Sequence, residues 1–412
     1  MAILYGTTSE GETLPVLVDQ FGNLLAKGIE GPQGPEGPPG IGQLPPGATD
    51  GALLGWQDGE LVWITEPLPP ISVSGFIPII YTGNGVSQSI DCGFSPDLVW
   101  IKESSSTGDH HLFDIVRGAT KSLRSNLRDA ETIDANELTA FTINGFDLGS
   151  GSDVNQSGVQ NVAWAWDAGD NTVTNQNGSI ESLVRSNGSF SIISFTSSAS
   201  NGASFSVGHG LSNKPKFALV KTRDSVSLWC VYHASVCDTT TKYLELSSDS
   251  SLQDLQVWGD NLPSFDVLEL TSGGAVNVNQ SCIAYCWAEE SGVSNFGSYP
   301  GSGSRQTINT GFRPSLVMIK STGDGNWFMF DNARGSSKAL YANEFAAEAE
   351  TGAVEFLDNG FQLLSALPGV NESNTTYIYA AFANPQDAAL AQRQLRREAR
   401  QEERQQNETQ PR

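Results

Sequence analysis

Positive charge is scarce in this chain. Lys and Arg total 23 against 46 Asp and Glu, a formal net charge of −23 over 412 residues. A surface of that sign repels phosphate backbones, which argues against a nucleic-acid partner, and keeps the protein soluble. Cysteine is limited to Cys92, Cys230, Cys237, Cys282 and Cys286. An odd number at irregular spacing is no disulfide framework, and no CxxC pair offers a zinc site. These residues are expected as small buried hydrophobes. No run approaches the ~18 apolar residues of a membrane helix. The start, MAILYGTTSEGE, has neither the basic nor the apolar region of a signal peptide, so synthesis in a reducing cytosol is expected.

Catalytic motifs are equally sparse. The four histidines, His110, His111, His209 and His233, show no HExxH or related spacing. There is no GxSxG, Walker-type or dinucleotide fingerprint. The acidic stretch from Asp147 to Asp153 carries oxygen donors but lacks the spaced ligands and glycine of an EF-hand. A polysaccharide-cleaving pair of carboxylates has no motif to mark it. The expectation is a protein without catalytic, cofactor-binding or metal-ligating residues.

What the chain does have is glycine, 43 residues of it, with 38% hydrophobic and 17% charged residues. Lys and Glu are sparse outside the last thirty or so positions. That mix predicts a mainly β protein of many short strands and turns, and the length predicts about three domains.

Residues 28–42 read GIEGPQGPEGPPGIG, with Gly28, Gly31, Gly34, Gly37 and Gly40 at every third place and Pro32, Pro35, Pro38 and Pro39 between them. Only glycine fits at the axis of three wound chains, so this spacing predicts a short collagen-like triple helix, roughly 45 Å long at about 3 Å per residue. A periodic Pro/Gly linker is the alternative. Before it, residues 14–18 (LPVLV) and 24–26 (LLA) flank the turn-rich DQFGN as a small hairpin. After it, residues 51–64 (GALLGWQDGELVWI) form a second hairpin around Asp58-Gly59. A two-residue loop pairs Gln57 with Glu60, and so sets Trp56 opposite Leu61 and Leu54 opposite Trp63. Those four large side chains then share one face. A lone hairpin cannot bury such a face. Three copies around an axis can, as can packing on the chain's own downstream domain. Glycine triplets and ribbon together point to a homotrimer.

Beyond the Pro-rich hinge at 66–72, a pattern recurs at roughly 100-residue spacing. A Gly, a Pro and an apolar strand ending in Lys appear at residues 93–102 (GFSPDLVWIK), 210–221 and 311–320 (GFRPSLVMIK). Each copy closes on an alternating strand: Val162, Trp164, Trp166; Ile283, Tyr285, Trp287; Ile378, Ala380, Phe382. Copies 1 and 3 share RGATKSL (117–123) and RGSSKAL (334–340), and NGF at 144–146 and 359–361. The closing faces stay apolar while the residues change, which is the behaviour of a core. The Lys residues at the strand ends are expected solvated or paired with nearby carboxylates. The organisation expected is an N-terminal attachment segment (1–27), collagen-like triplets (28–42), hairpin and hinge (43–70), three tandem β-sandwich-like repeats (71–170, 171–292, 293–384) and a charged C-terminal helix (385–412). In the helix, Pro385 and Asp387 suit a first turn, and its thin apolar face leaves a three-stranded coil, a docking helix and a frayed tail all open.

Three stretches carry a resemblance: residues 81–103 (YTGNGVSQSIDCGFSPDLVWIKE), 110–126 (HHLFDIVRGATKSLRSN) and 162–169 (VAWAWDAG). They resemble repeats in tail fibres of cyanophages and other marine phages, and LPVLVDQFGNLLAKG followed by glycine triplets is similar to the start of the same proteins. The resemblance covers most of residues 1–384, most specifically in the first repeat. It implies a trimeric virion fibre, assembled in the host cytoplasm. Its N-terminal segment would hold a tail adaptor, nozzle or other virion protein, and its distal part a host surface glycan. A head decoration fibre or connector is the structural alternative, and a polysaccharide-degrading tailspike the enzymatic one. The resemblance brings no ligand residues. From its position after the loop ESSSTGD, the run Asp109, His110, His111 is a candidate exposed receptor contact.

Overall fold

A two-residue loop fixes the register of a hairpin. In the computed structural model, strand Leu53–Gln57 pairs with Glu60–Ile64 through Gln57↔Glu60, Trp56↔Leu61 and Leu54↔Trp63, as the spacing requires. The structure describes residues 75–384 and, before them, the backbone of four strands. The chain divides into two units, Met1–Pro70 and Ile71–Arg412. In the first unit, Thr13–Val18 pairs antiparallel with Ala2–Thr7, from Ala2↔Val18 to Thr7↔Thr13. The LPVLV strand thus has a partner before it, which the sequence pattern did not assign; the partner expected was residues 24–26. Those residues, the collagen-like glycines 28 to 40, the hinge and the C-terminal 385–412 lie outside the described residues.

The second unit is mainly β, and its only helix among the described residues is the four-residue Ser152–Asn155. It holds three large antiparallel sheets in chain order. In the first, Phe76–Thr82 lies beside Gln160–Trp166, then Leu98–Glu103 and His110–Asp114. The second contains the matching order Phe190–Thr196, Ser281–Ala288, Pro215–Thr222 and Cys230–His233, flanked by further strands. The third contains Ser294–Pro300, Thr376–Phe382, Leu316–Ser321 and Phe328–Asp331. Each time the closing strand inserts between the opening strand and the strand that carries the recurring Lys. Smaller sheets accompany the large ones: Gln88–Asp91 with Gly145–Leu148 and Leu138–Thr142, Ser204–Gly208 with Val267–Thr271, and Gln306–Asn309 with Gly360–Leu363 and Val354–Leu357.

Alternation along the closing strands divides them between two cores. Ala163 and Ala165 enter a cluster local to residues 75–170. Cys282, Ala284 and Cys286 enter one within 171–292, and Tyr377, Tyr379 and Ala381 one within 293–384. The opposite faces, Val162, Trp164, Trp166, Ile283, Tyr285, Trp287, Ile378, Ala380 and Phe382, all meet in a single common core. At its centre Trp166, Trp287 and Phe382 touch one another, with ring centroids 5.6 to 6.0 Å apart. Phe76, Phe190 and Phe296 surround them. The sheets are therefore buried on both faces, and the Lys-bearing strands read as unbroken apolar runs for that reason.

The same layering overturns the expectation for the lysines. Lys102, Lys221 and Lys320 are fully buried. Each ammonium is satisfied by main-chain carbonyls: Lys221 Nζ by Arg128 and Ser227, Lys320 Nζ by Ser321 and Gly323, and Lys102 Nζ by Glu103. Burial draws all three down to about 8. The five cysteines are free and buried, as expected. The NGF glycines hold their place by close approach. A Cβ on Gly145 would lie 1.9 Å from Ile90 O, and one on Gly360 2.0 Å from Ile308 O.

Where the three segments meet, matched positions make matched bonds. Glu131, Leu252 and Glu348 donate their N–H to the carbonyls of Arg223, Thr322 and Ser104, each at 2.8 Å. Trp229 Nε1 donates to Arg124 O and Trp327 Nε1 to Glu245 O, at 2.9 and 2.8 Å. His110 stands at the equivalent place, with Nε2 2.9 Å from Tyr341 O. Asp331 accepts from Trp164 Nε1, and Asp114 from the Tyr285 hydroxyl. The matched aromatic position in the last segment is Ala380. Facing it, His233 replaces the acid and bonds Tyr379 O instead. Arg117 and Arg334, from the two RG motifs, pair with Asp114 and Asp331. The middle segment, whose His233 needs no cation, has Val236 there.

Candidate functional site

Strand alternation sends neighbouring residues to opposite faces, and it separates the two adjacent histidines. His110 turns toward the common core, stacking at 6.3 Å on Trp164 and accepting at Nδ1 from Trp100 Nε1 at 2.8 Å. Both its nitrogens are engaged and none of it is exposed. It is a seam residue and not the surface contact expected from its place after a loop. His111 turns the other way, beside Phe113, and is also buried, so a direct imidazole grip on a large receptor is ruled out. Its ring does border an open cleft.

That cleft, about 300 Å³, lies where the first and third segments meet, with Glu103, Asp109, His111, Asp153, Gln156 and Phe345 among its lining. His111 Nδ1 is 2.9 Å from Ser122 Oγ and 3.5 Å from Glu137 Oε1. Glu137, just before strand Leu138–Thr142, is buried, and its Oε2 has no hydrogen-bond partner. Asp153, in the short helix, is half exposed. One donor atom from each of His111, Glu137 and Asp153 lies within 4.8 Å of the others. Asp109 accepts from Asn126 Nδ2 at 2.7 Å, and Glu103 from Ser106. Gly108 lies against this carboxylate: a Cβ there would lie 2.8 Å from Glu103 Oε2, so the carboxylate would have to shift.

The local charge is unbalanced. Arg124 reaches Asp109 at 3.6 Å and Asp153 at 3.8 Å, and its Nε makes no hydrogen bond. Glu103, Asp109 and Asp153 line the cleft, and Glu137 stands beside His111 and Asp153. An imidazole and several carboxylates around an open, electronegative cleft form a cation-binding arrangement. Sequence reasoning reached Asp109, His111 and, through the acidic 147–153 stretch, Asp153. Asp147 belongs elsewhere, accepting from Ser89 Oγ at 2.5 Å. Glu103 and Glu137 had no signal, because only tertiary folding brings them to His111.

A second depression opens over Phe76, Trp166, Phe190, Trp287 and Phe382. Its roughly 20 Å³ suits a group the size of water. The Trp166 and Trp287 indole N–H groups, which lack protein partners, would serve such a group. No helix among the described residues is long and apolar enough to cross a membrane, which does not bear on β-barrels.

Residues 73–385 match a family described as a domain of unknown function (DUF7483), and the chain belongs to that family. No curated protein matches the chain, and no solved structure does.

Proposed function

We propose that this chain forms a homotrimeric fibre of a tailed phage virion. Its N-terminal unit would attach to a virion protein and its body would bind a glycan of the host surface. The observation that carries this reading is the row of five glycines at strict three-residue spacing, which has a use only when three chains wind together. The hairpin after it pairs Leu54 with Trp63 and Trp56 with Leu61, and a trimer would supply the partner that a lone ribbon needs. We read the three segments of the body as copies of one sandwich-like repeat, supported by their common strand order and matched seam bonds. Loops on a rigid β scaffold are the usual carriers of recognition, and three bodies per fibre turn weak contacts into firm attachment.

Binding of the full-length chain to cyanobacterial envelope polysaccharide tests this. The intact chain is expected to be retained, and deletion of residues 28–42 to weaken retention by roughly 10²-fold or more through lost avidity. Absence of retention, with unstable virions on deletion, would favour a purely structural virion part. Release of reducing ends from the polysaccharide would favour a tailspike enzyme.

A further inference from the structure

We propose that His111, Glu137 and Asp153 form a binding site for one divalent transition-metal ion of the Zn²⁺ or Mn²⁺ class, open to the cleft between the first and third segments. The proposal is independent of the fibre reading. Three observations converge on it. The first is placement. Three elements distant in sequence, strand His110–Asp114, the residue before Leu138–Thr142 and the helix Ser152–Asn155, bring their donors within 4.8 Å. Donors around an ion with bonds of about 2.1 Å lie about 3–4 Å apart. The half-exposed Asp153 side chain is free to close that difference.

The second is the unpartnered oxygen. Glu137 is 4% exposed at its side chain, yet Oε2 makes no hydrogen bond. A buried carboxylate oxygen left in this way is costly unless a cation meets it. A His111–Glu137 ion pair does not resolve this, since the 3.5 Å contact involves Oε1 and His111 Nδ1 already lies 2.9 Å from Ser122 Oγ. Nδ1 faces both the Ser122 hydroxyl and Glu137 Oε1, so an ion held with Glu137 would take Nδ1 from that hydroxyl, or take Nε2 while the hydroxyl holds the ring as outer groups hold metal-binding histidines.

The third is charge. Glu103, Asp109 and Asp153 line the cleft and Glu137 stands beside His111 and Asp153, while Arg124 is the one arginine or lysine in ion-pair contact with any of them among the described residues. Arg124 contacts Asp109 and Asp153 only at 3.6 and 3.8 Å, so it competes weakly. The imidazole sets the class of metal. Ca²⁺ and Mg²⁺ prefer oxygen alone, whereas mixed imidazole and carboxylate ligands suit Zn²⁺ and Mn²⁺. Three protein ligands and an open cleft leave positions for water.

The full-length protein, stripped with chelator, is titrated calorimetrically with Zn²⁺, Mn²⁺ and Ca²⁺, and its melting temperature is followed alongside. The expected result is one equivalent per chain of Zn²⁺ or Mn²⁺ with a rise in melting temperature. Asp153→Asn and Glu137→Gln should each lower the affinity at least about tenfold. Asp153 is half exposed, so its variant keeps the test valid if Glu137→Gln fails to fold. No binding at millimolar metal would overturn the proposal. So would binding unchanged by Asp153→Asn, which marks scattered acidic surface, or tighter binding of Ca²⁺ than of both transition metals.

Discussion

Asp114→Ala is expected to destabilise the body by about 3–5 kcal/mol, the cost of breaking a buried ion pair from one side. Asp114 is fully buried and accepts from Arg117 N at 2.8 Å, from Arg117 Nε and from the Tyr285 hydroxyl at 2.7 Å. Without it, the Arg117 guanidinium stays enclosed with carbonyls and Glu131, at 3.0 Å, as its remaining carboxylate. The first and second segments then lose one of the polar bonds across their seam, because Tyr285 belongs to the second. Tyr285→Phe removes two bonds to charged groups, the one donated to Asp114 and the one accepted from Arg117 Nη2 at 3.2 Å, and should cost about 2–3 kcal/mol. The double variant should cost less than the two singles together, since they share a partner. Urea unfolding of the three variants checks this. A loss below about 1 kcal/mol for Asp114→Ala would show that the pair contributes little.

Acidification is expected to cost about 3 kcal/mol through His233 alone. Its Nε2 is 3.1 Å from Tyr379 O and its Nδ1 accepts from Ser235 N at 3.3 Å. Both nitrogens are thus used by the neutral ring, and a second proton would face an N–H donor. Burial brings His233 down to about 4 from the ordinary 6.5. The unfolded chain therefore binds the extra proton first, so stability is full above about pH 6.5 and falls as pH drops toward 4, by about 1.4 kcal/mol per unit of difference. His110 and His209 are held the same way, with Nε2 facing a carbonyl and Nδ1 accepting, and burial lowers both. Asp97, raised by burial to about 7, acts in the opposite direction over part of the range. The clean measurement is the difference between wild type and His233→Gln, whose amide keeps the donor to Tyr379 O. The variant should lose about 3 kcal/mol less between pH 7 and pH 4. Parallel pH curves would contradict the assignment.

The first two closing strands were legible because their alternation is carried by residue type, with aromatic and branched side chains on one face and Ala and Cys on the other; the third mixes them, with Ala380 on the shared face and Tyr377 and Tyr379 on the local one. Sequence could not show that the first face is shared by three segments and the second is local. The lysines were misread for the same reason, since a strand end looks solvated until a further layer covers it. His110 was misread because its role, filling a place held by Trp229 and Trp327, is visible only when the seams are compared. The looser sequence match of the middle segment also has a physical cause: Ala380 offers no polar edge, so neither the acid nor the arginine of the RG motif is needed opposite it. The cleft was the least legible feature. His111, Glu137 and Asp153 stand 26 and 16 residues apart, a spacing no local motif uses, and they converge through the turn between two small strands and one four-residue helix.

Sedimentation equilibrium of the full-length protein is the most direct measurement of whether three chains share one axis. The glycine triplets and the ribbon predict a mass of about 132 kDa, three times the chain's 44.0 kDa. A well-behaved species of 44.0 kDa would contradict the fibre.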